Sequence, residues 1–199
     1  MRNLVEMMLT SAAVEDEPAL DAARALFLEF GIRRTTMGDV TRRAGISSAT
    51  LYRRYPGKDA LVGAVIQREA RRFILAVDGR VDKSADPEQQ LVDGWAALIG
   101  ELSGNALLRR LLETDAETLL PQIVSAGGPI LALGRAYIAD NILRLQADGR
   151  LADFDADQIA EILARLAATF AVVPVGVIPL DPEGAREFAR THLARLTPG

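Results

Sequence analysis

The chain has 199 residues, 49% apolar and 25% charged, enough to bury a substantial core and too apolar for a disordered chain. Cysteine is absent and histidine occurs once, as His192, which excludes disulfides, thiolate chemistry and cysteine metal sites and leaves little for imidazole chemistry. The net charge of −4 disfavours nucleic acid as a partner, but Ala19 to Arg72 carry 11 Lys and Arg against 5 Asp and Glu, a local +6 that leaves −10 on the remainder. A basic end on an acidic body suits a protein that docks one end on phosphates.

Residues 1–18 read as an N-terminal extension. Arg2 precedes apolar residues and small residues follow, as in a signal peptide, but Glu6 interrupts the apolar stretch and the expected location is cytoplasmic. The longest apolar run, Phe170 to Leu180, is broken by Pro174, Gly176 and Pro179, so no membrane span is expected.

The spacing of Leu20, Ala23, Phe27 and Phe30 predicts a first helix over 19–30 with one apolar stripe, stopped by Gly31. Thr36 caps a second helix, and Asp39 three residues on completes a capping box. That helix ends at Ala44, where Gly45 can adopt the left-handed conformation of a sharp reversal. Ser47 caps a third helix running to about Tyr55, Pro56-Gly57 breaks the chain, and a long fourth helix begins near Lys58. Residues 19–57 thus form a helix-turn-helix unit, and 58–199 form a larger helical body entered through a connecting helix at 58–80. Within the body, Asp86-Pro87, Ser103-Gly104, Pro121, Gly127-Gly128-Pro129 and Asp148-Gly149 delimit helices at roughly 87–102, 105–114, 116–126, 129–147, 155–173 and 182–196. The expected fold class is all-α, with about nine helices.

At 100° per residue, Ser48, Ala49, Tyr52 and Arg53 share an arc of about 140° on the third helix, while Leu51 and Tyr55 fall to one side, able to dock on Val40, Ala44 and Ile46. One face anchors; the other offers small residues for close approach and hydrogen-bonding residues that could read base edges. Thr36 and Ser47 open helices whose free N–H groups attract anions, and Lys58 stands at the start of the next. An ordinary helical hairpin with a polar surface would share some of these features, but not the agreement of caps, turn glycine, apolar spacing and local positive charge.

The run ALDAARALFLEFGIRRTTMGDVTRRAGISSATLYRRYPGKDAL resembles the N-terminal domain of the TetR family of bacterial transcriptional regulators. It matches F-x-x-x-G at the end of the first helix, then TT, A-G-(I/V)-S, LY-x-(H/R)-(F/Y) and a Lys before the fourth helix. The resemblance implies phosphate contacts from Thr36, Thr50, Arg54 and Lys58, a backbone or thymine-methyl contact from Tyr52, and Ser48, Ala49 and Arg53 facing bases. Two departures stand out. Glu15, Asp16 and Glu17 replace the basic residues that often precede the first helix, which argues against a phosphate-tracking arm, and Gly38 stands where some members carry a base-reading side chain.

A single such unit contacts too little DNA for strong specificity, so a homodimer on a palindromic double-stranded operator is expected. Ile159, Ile162, Leu163, Leu166 and Phe170, with Phe188, Leu193 and Leu196, form stripes on the last two helices that suit a four-helix dimer interface or the chain's own core. The resemblance further implies a small-molecule effector among the body helices, with Trp95, Leu98, Leu102, Leu112, Ile123, Tyr137 and Phe170 as candidate lining residues. Aromatic residues make up only 5% of the chain, which favours an apolar or amphipathic ligand. The expected function is a ligand-responsive transcriptional repressor, without cofactor or metal. An all-α enzyme is disfavoured because the Glu-x-x-His pair of a di-metal carboxylate bundle is missing and Glu113, Asp115 and Glu117 read as solvated or capping. A helical interaction module that keeps the fold without specific DNA binding is the alternative.

Overall fold

The computed structural model describes residues 17–125 and 128–196. The expected N-terminal extension, with Glu15 and Asp16, and the glycine break at Gly127 lie outside these, apart from Glu17 and Pro18. Helices α1 (Pro18–Arg34), α2 (Met37–Ala44) and α3 (Ser48–Arg54) form the head. Helix α4 (Lys58–Asp78) leads into the body, built from α5 (Pro87–Gly104), α6 (Ala106–Thr114), α7 (Ala116–Val124), α8 (Pro129–Ala147), α9 (Ala156–Val172) and α10 (Pro182–Phe188). Helix α10 continues through a π-turn, Ala189–Leu193, and a 3-10 turn, Ala194–Leu196. No described helix is long and apolar enough to cross a membrane.

The local signals explain the head. Pro18 opens α1, where its missing N–H costs nothing. Thr36 accepts from the Asp39 amide, while the Asp39 carboxylate accepts from the Thr36 amide at 3.0 Å, the reciprocal box expected at α2. Gly45 closes that helix at φ +68°, and the Ser47 hydroxyl accepts from the Thr50 amide to start α3. Leu20, Ala23 and Phe27 are buried as the first stripe requires, but Phe30 is 46% exposed. Residue 30 lies only about 60° around the helix from Phe27, on the same flank as the buried Ala19 and Leu26, but it stands at the end of the regular helix, directly before the non-helical Gly31.

One apolar cluster joins Leu20, Phe27, Val40, Leu51, Leu61 and Val65 of the first four helices to Leu107, Leu111, Leu119 and Ile123 of α6 and α7. The head therefore shares its core with the body. A second cluster packs Val92, Trp95 and Ile99 of α5 against Leu163 of α9 and Ala185, Ala189 and Leu193 near the C-terminus. Arg68 of α4, fully buried, reaches Asp21 of α1 at 3.0 Å.

Asp115 adds a polar tie between head and body. Its side chain is almost completely buried and accepts from the amides of Ile32 at 2.9 Å and Arg33 at 3.0 Å, with the Thr114 hydroxyl donating at 2.7 Å. Gly31 stands at φ +80°, and a Cβ there would come within 2.8 Å of Asp115 Oδ2. Glycine is thus needed both for the left-handed backbone and for the approach of the carboxylate. Burial by itself would raise the Asp115 carboxyl, but the hydrogen bonds from Thr114, Ile32 and Arg33 and the Arg33 charge together hold it below the ordinary carboxylate value. Glu113 and Glu117 are exposed, as a solvated patch would be, whereas Asp115 is a buried structural anion.

Candidate nucleic-acid interface

Helix α3 is anchored on one side and open on the other. Leu51 is 1% exposed and packs with Val40, and Ala44, Ile46 and Tyr55 close around them. Ser47, Ser48, Ala49, Tyr52, Arg53 and Arg54 are exposed, and Thr50 is half-buried, its hydroxyl sharing a 2.9 Å hydrogen bond with that of Ser47. Among the described residues no partner holds the Arg53 guanidinium. Thr36 lies exposed at the start of α2. A Cβ at Gly38 would touch only Thr36 Oγ1 at 3.7 Å, so no close packing demands a glycine there.

Two cations of the interface are already engaged. Lys58 Nζ donates to the Arg33 carbonyl at 3.1 Å, bracing the start of α4 against the end of α1. Arg54 Nη1 lies 2.9 Å from Glu17, whose carboxylate also accepts from the Tyr55 hydroxyl at 2.6 Å. Burial, then the hydrogen bond and charge of Glu17, push the Tyr55 phenol well above its ordinary range, so it stays a donor. The Glu17 side chain is only 6% exposed while that of Arg54 is 59% exposed. Glu17 is therefore a strut between the start of α1 and the end of α3, which sequence reasoning took only as an obstacle to an N-terminal arm. Its partners are 37 and 38 positions away in the chain and leave no local signal.

Residues 19–65 match the family of bacterial regulatory proteins known as the tetR family. The chain belongs to that family. This TetR-family transcriptional regulator is 26% identical to the HTH-type regulator AlkX of Mycobacterium tuberculosis over 188 residues, 94% of this chain and 84% of that one. It is 25% identical to an uncharacterised HTH-type transcriptional regulator of Mycobacterium bovis over 149 residues, 74% of this chain and 75% of the relative. Among solved structures its fold is similar to the TetR family repressor AlkX from a Dietzia strain, implicated in biodegradation of n-alkanes, with TM-score 0.68 and 23% identity, covering 90% of this chain and 96% of that one. The repressor QsdR of R. erythropolis superposes with TM-score 0.63 at 19% identity, over 86% and 89% of the two chains.

In the body of this TetR-family regulator, residues of α4 to α9 line a half-open cavity of about 270 Å³. Trp95, Leu98, Leu102, Ile123 and Tyr137 line it. Leu112 and Phe170 do not; they flank a separate groove with Leu108 and Leu180, and Phe170 packs edge-on against Trp95 at 6.0 Å. Of the stripes on the last two helices, Leu163 and Leu193 are buried in the chain's own core. Ile162 is 48% exposed, and Ile159, Leu166, Phe170, Phe188 and Leu196 are half-buried. The described residues hold no group of three or more His, Asp or Glu placed to bind a metal ion.

Proposed function

We propose that this regulator is a homodimeric repressor that reads a palindromic operator through α3 and is released by a small apolar or amphipathic ligand in the body cavity. The observation that carries this reading is the capped, anchored α3 with Ser48, Ala49, Tyr52 and Arg53 free on its outer face. Small side chains allow the helix to sit close to base edges, and Arg53 suits a bidentate contact to guanine. Thr36, Ser47, Thr50, Arg54 and Lys58 surround that face as phosphate contacts, with the helix N-termini adding partial positive charge. The repressors named among its structural relatives support the direction of regulation.

Residues 19–57 act as the DNA-binding unit and 58–199 as the effector and dimer unit. Ile162, with the half-buried apolar residues around it on α9 and the C-terminal helix, supplies the candidate dimer face, two copies of which would pair about a two-fold axis. Ligand in the cavity would favour one spacing of the two heads over another, a population shift. The test is selection from random duplex DNA with the purified protein. A recovered palindrome whose affinity falls steeply with salt supports the reading; recovery of no sequence would favour a helical interaction module.

A further inference from the structure

The chemistry of the body cavity narrows the ligand further, on the reading just proposed that this cavity is the effector site. Its wall is aliphatic over most of its length. The lining residues of α4 run from Ile66 to Val77, roughly 16 Å at 1.5 Å per residue, so the space is long as well as apolar. Its head-proximal end is closed by Leu111, Leu119 and Ile123, which belong to the core shared with α1–α4. The far end carries Lys83, Tyr137 and Asn141.

Only two charged side chains reach this wall among the described residues, Glu69 and Lys83. Neither is available to a charged ligand. Lys83 Nζ lies 2.6 Å from Asp78 Oδ1, and the Tyr137 hydroxyl donates to the same oxygen at 2.9 Å. Glu69 is held by Arg24 at 2.6 Å and Arg72 at 3.2 Å. A carboxylate at the far end of the cavity would leave water, meet a lysine already claimed, and lie near the carboxylate of Asp78. An ammonium would find the carboxylates of Asp78 and Glu69 each already compensated. The phenolic oxygen of Tyr137, which spends its proton on Asp78, keeps lone pairs that can accept from a hydroxyl.

We infer that the cavity takes an uncharged, unbranched aliphatic compound, ending at most in a hydroxyl directed at Tyr137, and rejects the acid and amine of the same chain length through the closed Asp78–Lys83 pair. Trp95 is the single tryptophan of the chain and lines the cavity, so its emission reports occupancy directly.

The experiment titrates the full-length protein near neutral pH with decanol, decanoate and decylamine, following Trp95 emission and the unfolding temperature. Decanol should bind at least tenfold more tightly than either charged analogue. Asp78→Asn, which keeps an acceptor for Tyr137 but frees the Lys83 charge, should move the decanoate-to-decanol preference at least tenfold toward the acid. Lys83→Met, which frees Asp78, should move preference toward decylamine. Decanoate or decylamine binding the parent as tightly as decanol overturns the inference, as do variants that fold but leave the preferences unmoved. If none of the three compounds binds, or decanol binds without altering operator affinity, the effector-site reading itself falls.

Discussion

Cutting the Asp115 tie is the most direct test of how head and body are joined. Asp115→Ala removes the acceptor for the Ile32 and Arg33 amides and for the Thr114 hydroxyl. The Ile32 amide is buried and has no access to water, whereas the Arg33 residue is exposed and its amide can be partly rehydrated. One fully and one partly unsatisfied donor cost roughly 2–4 kcal/mol together, or roughly 5–12 °C in unfolding temperature for a chain of this size. Urea unfolding monitored by circular dichroism gives the free energy, and an unchanged m-value would confirm that stability alone has moved. The pH dependence supplies an independent check. Because the folded Asp115 carboxyl lies below its ordinary value, the tie stabilises fully above the unfolded carboxyl value near ~3.9 and is lost as pH falls through the lower folded value. The gap between parent and Asp115→Ala should thus persist from neutrality to about pH 4 and close in stronger acid. A loss below about 1 kcal/mol at neutral pH, or a gap that closes well above pH 4, would refute the assignment of a buried anionic tie.

Four further substitutions bear on neighbouring parts of the molecule. Gly31→Ala should cost about 2–4 kcal/mol, from a left-handed alanine and a Cβ only 2.8 Å from Asp115 Oδ2; combined with Asp115→Ala the losses should sum to less than additive in a urea-unfolding cycle, because the clash partner is gone. Arg53→Ala should erase about 1–3 kcal/mol of discrimination at one operator base pair, while Lys58→Ala weakens all duplexes alike, which competition binding against single-base operator variants would separate. Glu17→Gln keeps an acceptor for Tyr55 but releases the Arg54 charge, and should make the slope of log affinity against log salt about 0.9 more negative; an unchanged slope would mean that Arg54 does not neutralise a phosphate.

What the sequence disclosed and what it hid divide by chain distance. The box at Thr36 and Asp39, the turn at Gly45 and the cap at Ser47 each involve residues within about four positions of one another, so their partners are written beside them. Leu51 and Val40 could be paired because helical spacing and the tight turn bring them together. The Asp115 tie spans 83 residues, and nothing around Asp115 distinguishes a buried anion from a solvated one. Phe30 falls by angle within the buried face of α1 yet is 46% exposed, because spacing gives the direction of a side chain but not whether a neighbour covers the last turn before Gly31. The stripes of α9 and the C-terminal helix carry the same ambiguity at larger scale: periodicity marks Leu163 and Leu193 as inward, but not that inward means their own core rather than a partner's.

The cavity and the tie converge on the same short stretch of chain, and that sets how a ligand could reach the DNA-facing helix. Leu111 and Leu119 line the head-proximal end of the cavity. Between them lies Asp115, whose amide donates to the Leu111 carbonyl at 2.8 Å and whose carbonyl accepts from the Leu119 amide at 3.2 Å. An aliphatic tail that displaces either leucine must carry the α6–α7 junction with it, because close-packed interiors transmit displacement rather than absorb it. The Asp115 carboxylate would pass that movement to the amides of Ile32 and Arg33, two residues ahead of the threonine pair that opens α2. Leu111, Leu119 and Ile123 also pack in the cluster that holds Val40 and Leu51, so an apolar route runs beside the polar one. Asp115→Ala should therefore weaken the effect of decanol on operator affinity without abolishing decanol binding, since the ligand loses one of two routes to α3 and keeps its own contacts.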